Sequence, residues 1–223
     1  PASGWQRQLE DLMAREPVLA IVSGLGGRTW EPVHRFCEAE AVPCLFPNVE
    51  VPVDSSSDFY PVYFSKAVLL EAELFAARIV GSPKDETPGP VWQVYREADS
   101  GEAGALHLAQ ILKRHGIEAR ALALPAHGSG ADLAAALGRV ASARQLVLWL
   151  RPADLKALGP APGAGAFYLS GLMGGLEGAP LPASWRTKAL MSYPFDLPDR
   201  RRVRLDYALG WFRIRNIAVV NEQ

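Results

Sequence analysis

The side chains best suited to chemistry fall in three short segments. Gly24-Leu25-Gly26-Gly27-Arg28-Thr29 follows an apolar run and precedes a helical pattern, a setting in which free backbone amides at a helix start hold an anion. The segment opens as G-x-G. Thr29 stands where the third glycine of the dinucleotide fingerprint G-x-G-x-x-G would be, and the acidic residue due after the next strand is matched only loosely by Glu50. What remains is an anion or carboxylate site with Arg28 as its guanidinium. His34, Cys37 and Cys44 offer metal-ligand side chains, the first two on one helical face, but a closed zinc site needs a fourth ligand and none stands out. The same two thiols form a disulfide if the compartment is oxidising, and otherwise remain buried free thiols. His127-Gly128-Ser129-Gly130 puts a histidine beside a serine without a G-x-S-x-G elbow, and Asp132 belongs to the first turn of the next helix. No pair of carboxylates lies in an apolar setting, so nothing asks for acid–base or covalent catalysis.

These residues are positioned by a repeated unit: a short apolar run, a turn marked by Gly or Ser, then an amphipathic helix. Residues 18–23 (VLAIVS) lead into the glycine turn and a helix from Thr29. Residues 91–95 (VWQVY) lead to Ser100-Gly101 and a helix closing at His115-Gly116, and residues 145–150 (QLVLWL) lead to Pro152 and another helix. Strands alternating with helices imply parallel sheets covered on both faces, with ligands bound in the loops at the strands' carboxyl ends.

Between these units, residues 4–15 carry Trp5, Leu9, Leu12 and Met13 at helical spacing, ended by Pro17. Residues 66–80 form a helix with Ala67, Leu70, Leu74 and Ala77 as its apolar stripe. Residues 81–90 contain turn formers and charges with no apolar anchor, and are expected to be an exposed linker. The helix over 102–115 buries Ala105, Leu108, Ala109 and Leu112, with Gly116 as a left-handed cap. Strands follow at 117–124, 145–150, 166–170 and 188–193, and a last helix spans roughly 199–212. The expected division is a partial first α/β lobe over residues 1–85 and a second over 86–223, which includes the start of a return to the first.

The chain has 223 residues, of which 49% are hydrophobic, ample for the core of one large α/β domain or two lobes. Net charge is −1, so there is no basic footprint for nucleic acid. The basic cluster Arg200, Arg201, Arg202 and Arg204 stands beside Asp196, Asp199 and Asp206 and reads as a solvated helix start rather than a phosphate reader. No apolar run of about 18 residues is present to span a membrane. The chain starts at Pro1 without a charged n-region or signal core, so it reads as a processed or excised piece. Of the aromatic residues near strand ends, Tyr60 and Trp149 lie near loops where they could wall a pocket.

The order of these elements resembles the type I periplasmic binding proteins, of the leucine/isoleucine/valine-binding kind. VLAIVSGLGGRTWEPVHRFCEAEAVPCLFP resembles that family's strand, small-residue turn, helix and "vP" strand. DFYPVYFSKAVLLEAELFAARIV resembles the passage into its connecting helix, and VWQVYREADSGEAGALHLAQILKRHGIEAR the opening of its second lobe. ADLAAALGRVASARQLVLWL and AFYLSGLMGGLEG continue in register. The resemblance implies two doubly wound parallel-sheet lobes, the first incomplete because two opening strand–helix units of the family have no counterpart. It also implies a non-enzymatic protein without cofactor, in a periplasmic or other extracytoplasmic location, which captures a small molecule between the lobes for a membrane transporter or sensor. The family's carboxylate- and amine-holding positions read Gly26-Gly27-Arg28, Pro47-Asn48-Val49 and Gly171-Leu172-Met173 here, so a carboxylate or another anion is expected in place of an α-amino acid. The implied ligand-binding residues are Gly26, Gly27, Arg28, Thr29, Asn48 and Val49 from the first lobe, and Asp99, Ser100, Trp149, Arg151, Ser170 and Gly171 from the second. The competing readings are a Rossmann-type nucleotide-dependent enzyme and a ligandless interaction module of the same fold.

Overall fold

The computed structural model describes residues 4–53, 57–82, 89–162, 165–193 and 206–216. Most of the expected linker at 81–90 and all of the basic cluster Arg200, Arg201, Arg202 and Arg204 lie outside the described residues. Strands and helices alternate as the sequence leads one to expect. The first part contains α1 (Trp5–Arg15), β1 (Ile21–Val22), β2 (Leu25–Gly27), α2 (Glu31–Ala39), β3 (Cys44–Leu45), β4 (Asn48–Val49) and β5 (Pro61–Val62), and α3 (Val68–Val80) leads out of it. The second part contains β6 (Val91–Arg96), α4 (Ser100–Arg114), β7 (Ala119–Leu124), α5 (Gly130–Arg139), β8 (Gln145–Trp149), α6 (Pro152–Lys156), β9 (Ala166–Leu169), α7 (Gly171–Gly174), α8 (Ala183–Arg186) and β10 (Ala189–Met191). Helix α9 (Asp206–Ile214) follows. All described strand pairs are parallel, in sheets ordered β1-β3-β5, β2-β4 and β10-β9-β8-β6-β7. The fold is α/β with parallel sheets, as expected.

The five-stranded sheet is covered on both faces, which is why β8 reads as an unbroken apolar run and is buried at every position. Side chains alternate across the sheet. Leu146 and Leu148, with Phe167 and Leu169 from β9, pack against Leu133, Ala136, Leu155 and Trp185. Val147 and Trp149, with Tyr168, face Leu108 and Leu112 of α4 and Phe75 and Ala76 of α3. Helix α3 thus contributes to the core of the five-stranded sheet although it precedes β6.

Helix α3 departs from the expected phase. Its buried stripe is Val68, Ala72, Phe75, Ala76 and Ile79, with Glu71 among them, and Leu74 is exposed. A helix apolar on most sides carries no unique period, so tertiary contact decides which side turns inward. The contact here is close. A Cβ on Gly104 of α4 would lie 2.9 Å from Val68 and 2.8 Å from the Trp149 ring, so this glycine lets α3, α4 and β8 meet.

In the first part, Phe36 and Cys37 of α2 pack with Cys44, Trp30 and Val49, and Trp5 of α1 meets Phe36 edge-on at 6.0 Å. Cys37 and Cys44 are joined in a disulfide with Cα atoms 6.1 Å apart, which ties α2 to β3. Closing so short a loop restricts the unfolded chain by about 2–3 kcal/mol. We predict that Cys37→Ser lowers the unfolding free energy by about that amount in urea titrations. Unreduced, denatured protein should take up no alkylating reagent at either cysteine. Modification of both thiols without reductant would contradict the bridge.

Candidate functional site

The glycine turn is shaped by packing. A Cβ on Gly26 would sit 2.6 Å from a Val49 methyl and 2.7 Å from the Trp30 ring, and Trp30 is buried. The glycines therefore admit an indole against the strand, and the phosphate-cradle reading loses its main support. Strand β2 pairs with β4, Leu25 opposite Asn48 and Gly27 opposite Val49. Beyond the pair, the Glu50 amide donates to the Gly27 carbonyl (3.1 Å) and the Val51 amide to the Arg28 carbonyl (2.8 Å). These bonds fix where Glu50 leaves the sheet.

Glu50 meets two of the expected site residues, Arg151 and Ser100, and Arg151 joins it to a third, Asp99, all from the five-stranded part. Asp99 is the N-cap of α4 and accepts from the Ser100 amide at 2.7 Å. Arg151 follows β8 and precedes α6. Its Nη1 and Nη2 donate to Oε1 and Oε2 of Glu50, each at 2.6 Å. Its Nε and Nη2 donate to Oδ2 and Oδ1 of Asp99 at 3.0 and 2.7 Å. The Ser100 hydroxyl donates to Oε2 of Glu50 at 2.6 Å. Hydrogen bonds from Arg151 hold the Glu50 carboxyl below its usual range, against the opposing effect of burial. For Asp99, burial raises the pKa, but the Arg151 bonds and the Ser100 amide together bring it below its ordinary value. Both carboxylates push Arg151 upward, so this cluster stays ionised across the neutral range.

The other expected residues lie elsewhere. The Arg28 side chain is half-exposed, 3.9 Å from Glu102, while Glu31 pairs with Arg35. Thr29 is exposed. Trp149 is fully buried, donates to Gln93 Oε1 at 2.9 Å and packs edge-on against Phe75. Ser170 and Gly171 belong to a second cluster, around Glu71. The Ser170 hydroxyl donates to Glu71 Oε2, and Oε1 accepts from the Ser192 hydroxyl (2.6 Å) and the Leu172 amide (2.9 Å). Burial pushes the Glu71 carboxyl up, opposed by these hydroxyls and amides. Asn48 and Val49 line a cavity of about 600 Å³, with walls that include Phe46, Phe64 and Leu172. Glu50 lines it too, so the cavity and the arginine cluster are contiguous.

The remaining motifs resolve structurally. Cys37 and Cys44 are bonded to each other, and His34 is held between Asp58 (2.6 Å) and Tyr63 (2.9 Å), so the three do not form a metal set. Among the described residues no group of His, Cys, Asp and Glu could hold a metal ion. Asp132 accepts from the Ser129 amide at 2.6 Å and its hydroxyl at 3.0 Å, as a helix-start residue does. Among the described residues no helix is long and apolar enough to cross a membrane.

Sequence reasoning met Glu50 only as an imperfect fingerprint residue and missed Glu71 and Ser192. Glu71 was signalled by an acid set among Val68, Ala72 and Phe75 at helical spacing. Because folding raises its pKa above the ordinary 4.5, the native state binds this proton more tightly than the unfolded chain. Its contribution is therefore complete below the ordinary value and declines as pH rises through the raised one. In urea titrations at a series of pH values rising from the ordinary 4.5, wild type should lose stability relative to Glu71→Gln as pH rises. Glu71→Ala should cost about 1–3 kcal/mol by stranding buried donors. A difference between wild type and Glu71→Gln that does not change with pH would contradict this.

No protein-family model and no curated protein matches the sequence. Solved structures do match it. One is designated a branched-chain amino acid ABC transporter, from Rhodospirillum rubrum, with 14% identity and a TM-score of 0.62, covering 97% of this chain and 63% of that one. Another is an extracellular ligand-binding receptor from Rhodopseudomonas palustris HaA2, with 13% identity and a TM-score of 0.60, covering 96% and 62%. The chain thus spans less than two thirds of the length of either. At this identity the likeness speaks to architecture alone, and that architecture is the α/β fold of the type I periplasmic binding proteins.

Proposed function

We propose that this chain is a solute-binding protein that takes a small molecule into the cavity beside β4 and α7 and presents it to a membrane transporter or sensor in an extracytoplasmic compartment. The observation that carries the reading is the cavity of about 600 Å³ where the first part of the chain meets Leu172 of the second, a size suited to a small ligand. Its walls are largely apolar, with Asn48, Glu50 and Ser65 as polar members, and Arg151 adjoins it through Glu50. The ligand class that fits is a compact apolar body bearing one carboxylate or similar anionic group. The names of the two solved neighbours and the Cys37–Cys44 bridge support a binding role outside the cytoplasm, and Ser129, the serine considered for catalysis, is held by Asp132 at a helix start.

On this reading the lobes close about the segment that enters α3. The packing of α3 onto the five-stranded sheet favours a boundary near Ala67 over one in the linker at 81–90. Calorimetric titration with a panel of short-chain aliphatic carboxylic acids tests the function. Leu172→Trp, which fills the cavity from α7, should weaken binding on the order of tenfold or more, since about 1.4 kcal/mol is enough. Binding that survives this change undiminished would overturn the site. Failure of every acid to bind would favour the ligandless interaction module.

A further inference from the structure

Glu50 reaches Arg151 from another sheet. It stands just beyond β4, whereas Arg151, Asp99 and Ser100 stand beyond the carboxyl ends of β8 and β6. Both Glu50 oxygens are taken by the guanidinium, and one is shared with the Ser100 hydroxyl at the N-terminus of α4. A guanidinium fork completed by a hydroxyl is how a protein recognises the carboxylate of a ligand. Arg151 has five N–H donors, and Glu50 and Asp99 engage its Nε, Nη1 and Nη2 together. Here the chain itself supplies the carboxylate.

We propose that Glu50 is a tethered carboxylate that fills an anion site made by Arg151 and Ser100, holding the two parts of the chain together without ligand, so that a ligand carboxylate enters only by displacing it. The displacement half rests on the solute-binding reading; the tethering half stands without it. The Arg151 and Glu50 side chains are each 34% exposed, so water reaches the pair and a partner can be exchanged. A tethered group competes at an effective concentration in the millimolar range, which sets a threshold. A carboxylate with no apolar body cannot exceed it at low concentration. One whose hydrocarbon part enters the adjoining cavity, against Phe46, Phe64 and Leu172, gains the burial needed to do so. Glu50 is thereby a specificity-determining residue: it rejects bare small anions and admits carboxylates with an apolar tail.

The test uses the full chain as wild type, Glu50→Ala and Glu50→Gln, the last keeping side-chain size while removing the charge. Hexanoate and acetate are titrated calorimetrically, and the radius of gyration is measured by small-angle scattering without ligand. Removing the internal competitor should tighten hexanoate binding on the order of tenfold or more, bring acetate into measurable range, and enlarge the unliganded radius of gyration. Adding Arg151→Gln should abolish the gain. Unchanged or weaker hexanoate binding in both Glu50 variants would overturn the displacement. If neither wild type nor variants bind hexanoate, the solute-binding reading fails for this ligand class, and the scattering still decides the tether. An enlarged radius supports it and an unchanged one overturns it.

Discussion

Arg151 sits between two carboxylates that come from different parts of the chain, and the placement of nearly every other element at this site follows from that. A guanidinium can satisfy two acids at once only if both approach in its plane. Asp99 does so because it caps α4, and its position is set by β6 immediately before it. Glu50 does so because β4 pairs with β2, and the turn from β2 allows that pairing only with Gly26 under Trp30 and Val49. Even the start of α3 is tied in, since the Val68 amide donates to the Glu50 carbonyl at 3.2 Å.

A second carboxylate makes an instructive contrast. Glu71 is as deeply placed as any core residue, yet its partners are two hydroxyls and an amide. Burial raises its pKa, whereas the arginine lowers that of Glu50. The physical consequence differs as well. A fully buried acid held by neutral donors locks α3 to the ends of β9 and β10, because separating them strands several polar groups. A partly exposed ion pair can break and re-form in water at modest cost. One joint is held by neutral donors away from water and the other by charges that water reaches.

Much of this was legible in the sequence. The unbroken run of β8 and the left-handed Gly116 each have a local cause that the sequence displays, and the turn expected at Ser100-Gly101 is already the first turn of α4, capped by Asp99. Asp99, Ser100 and Arg151 were placed in the site by family resemblance, and the structure links Asp99 to both of the others by hydrogen bonds. What could not be read was which partner each would meet. Trp149 stands at a strand's end like a pocket wall, but the glycines of α4 leave room for it inside the core. The phase of α3 was lost because an almost uniformly apolar helix has no preferred side until α4 packs on it. Glu50 was obscure because its partner lies 101 residues away, a distance no spacing rule spans. Whether Cys37 and Cys44 are bridged or free turned on the redox compartment, which their spacing does not reveal.

The most direct test of this account is a double-mutant cycle on Glu50 and Arg151. Unfolding free energies of wild type, Glu50→Gln, Arg151→Gln and the double variant would be measured in urea without any ligand. If the pair joins the two parts of the chain, the cycle should return a favourable coupling of about 1 kcal/mol or more, within the range for residues in direct contact. Strictly additive losses would mean that the two side chains merely lie side by side, and the account would be wrong at its centre.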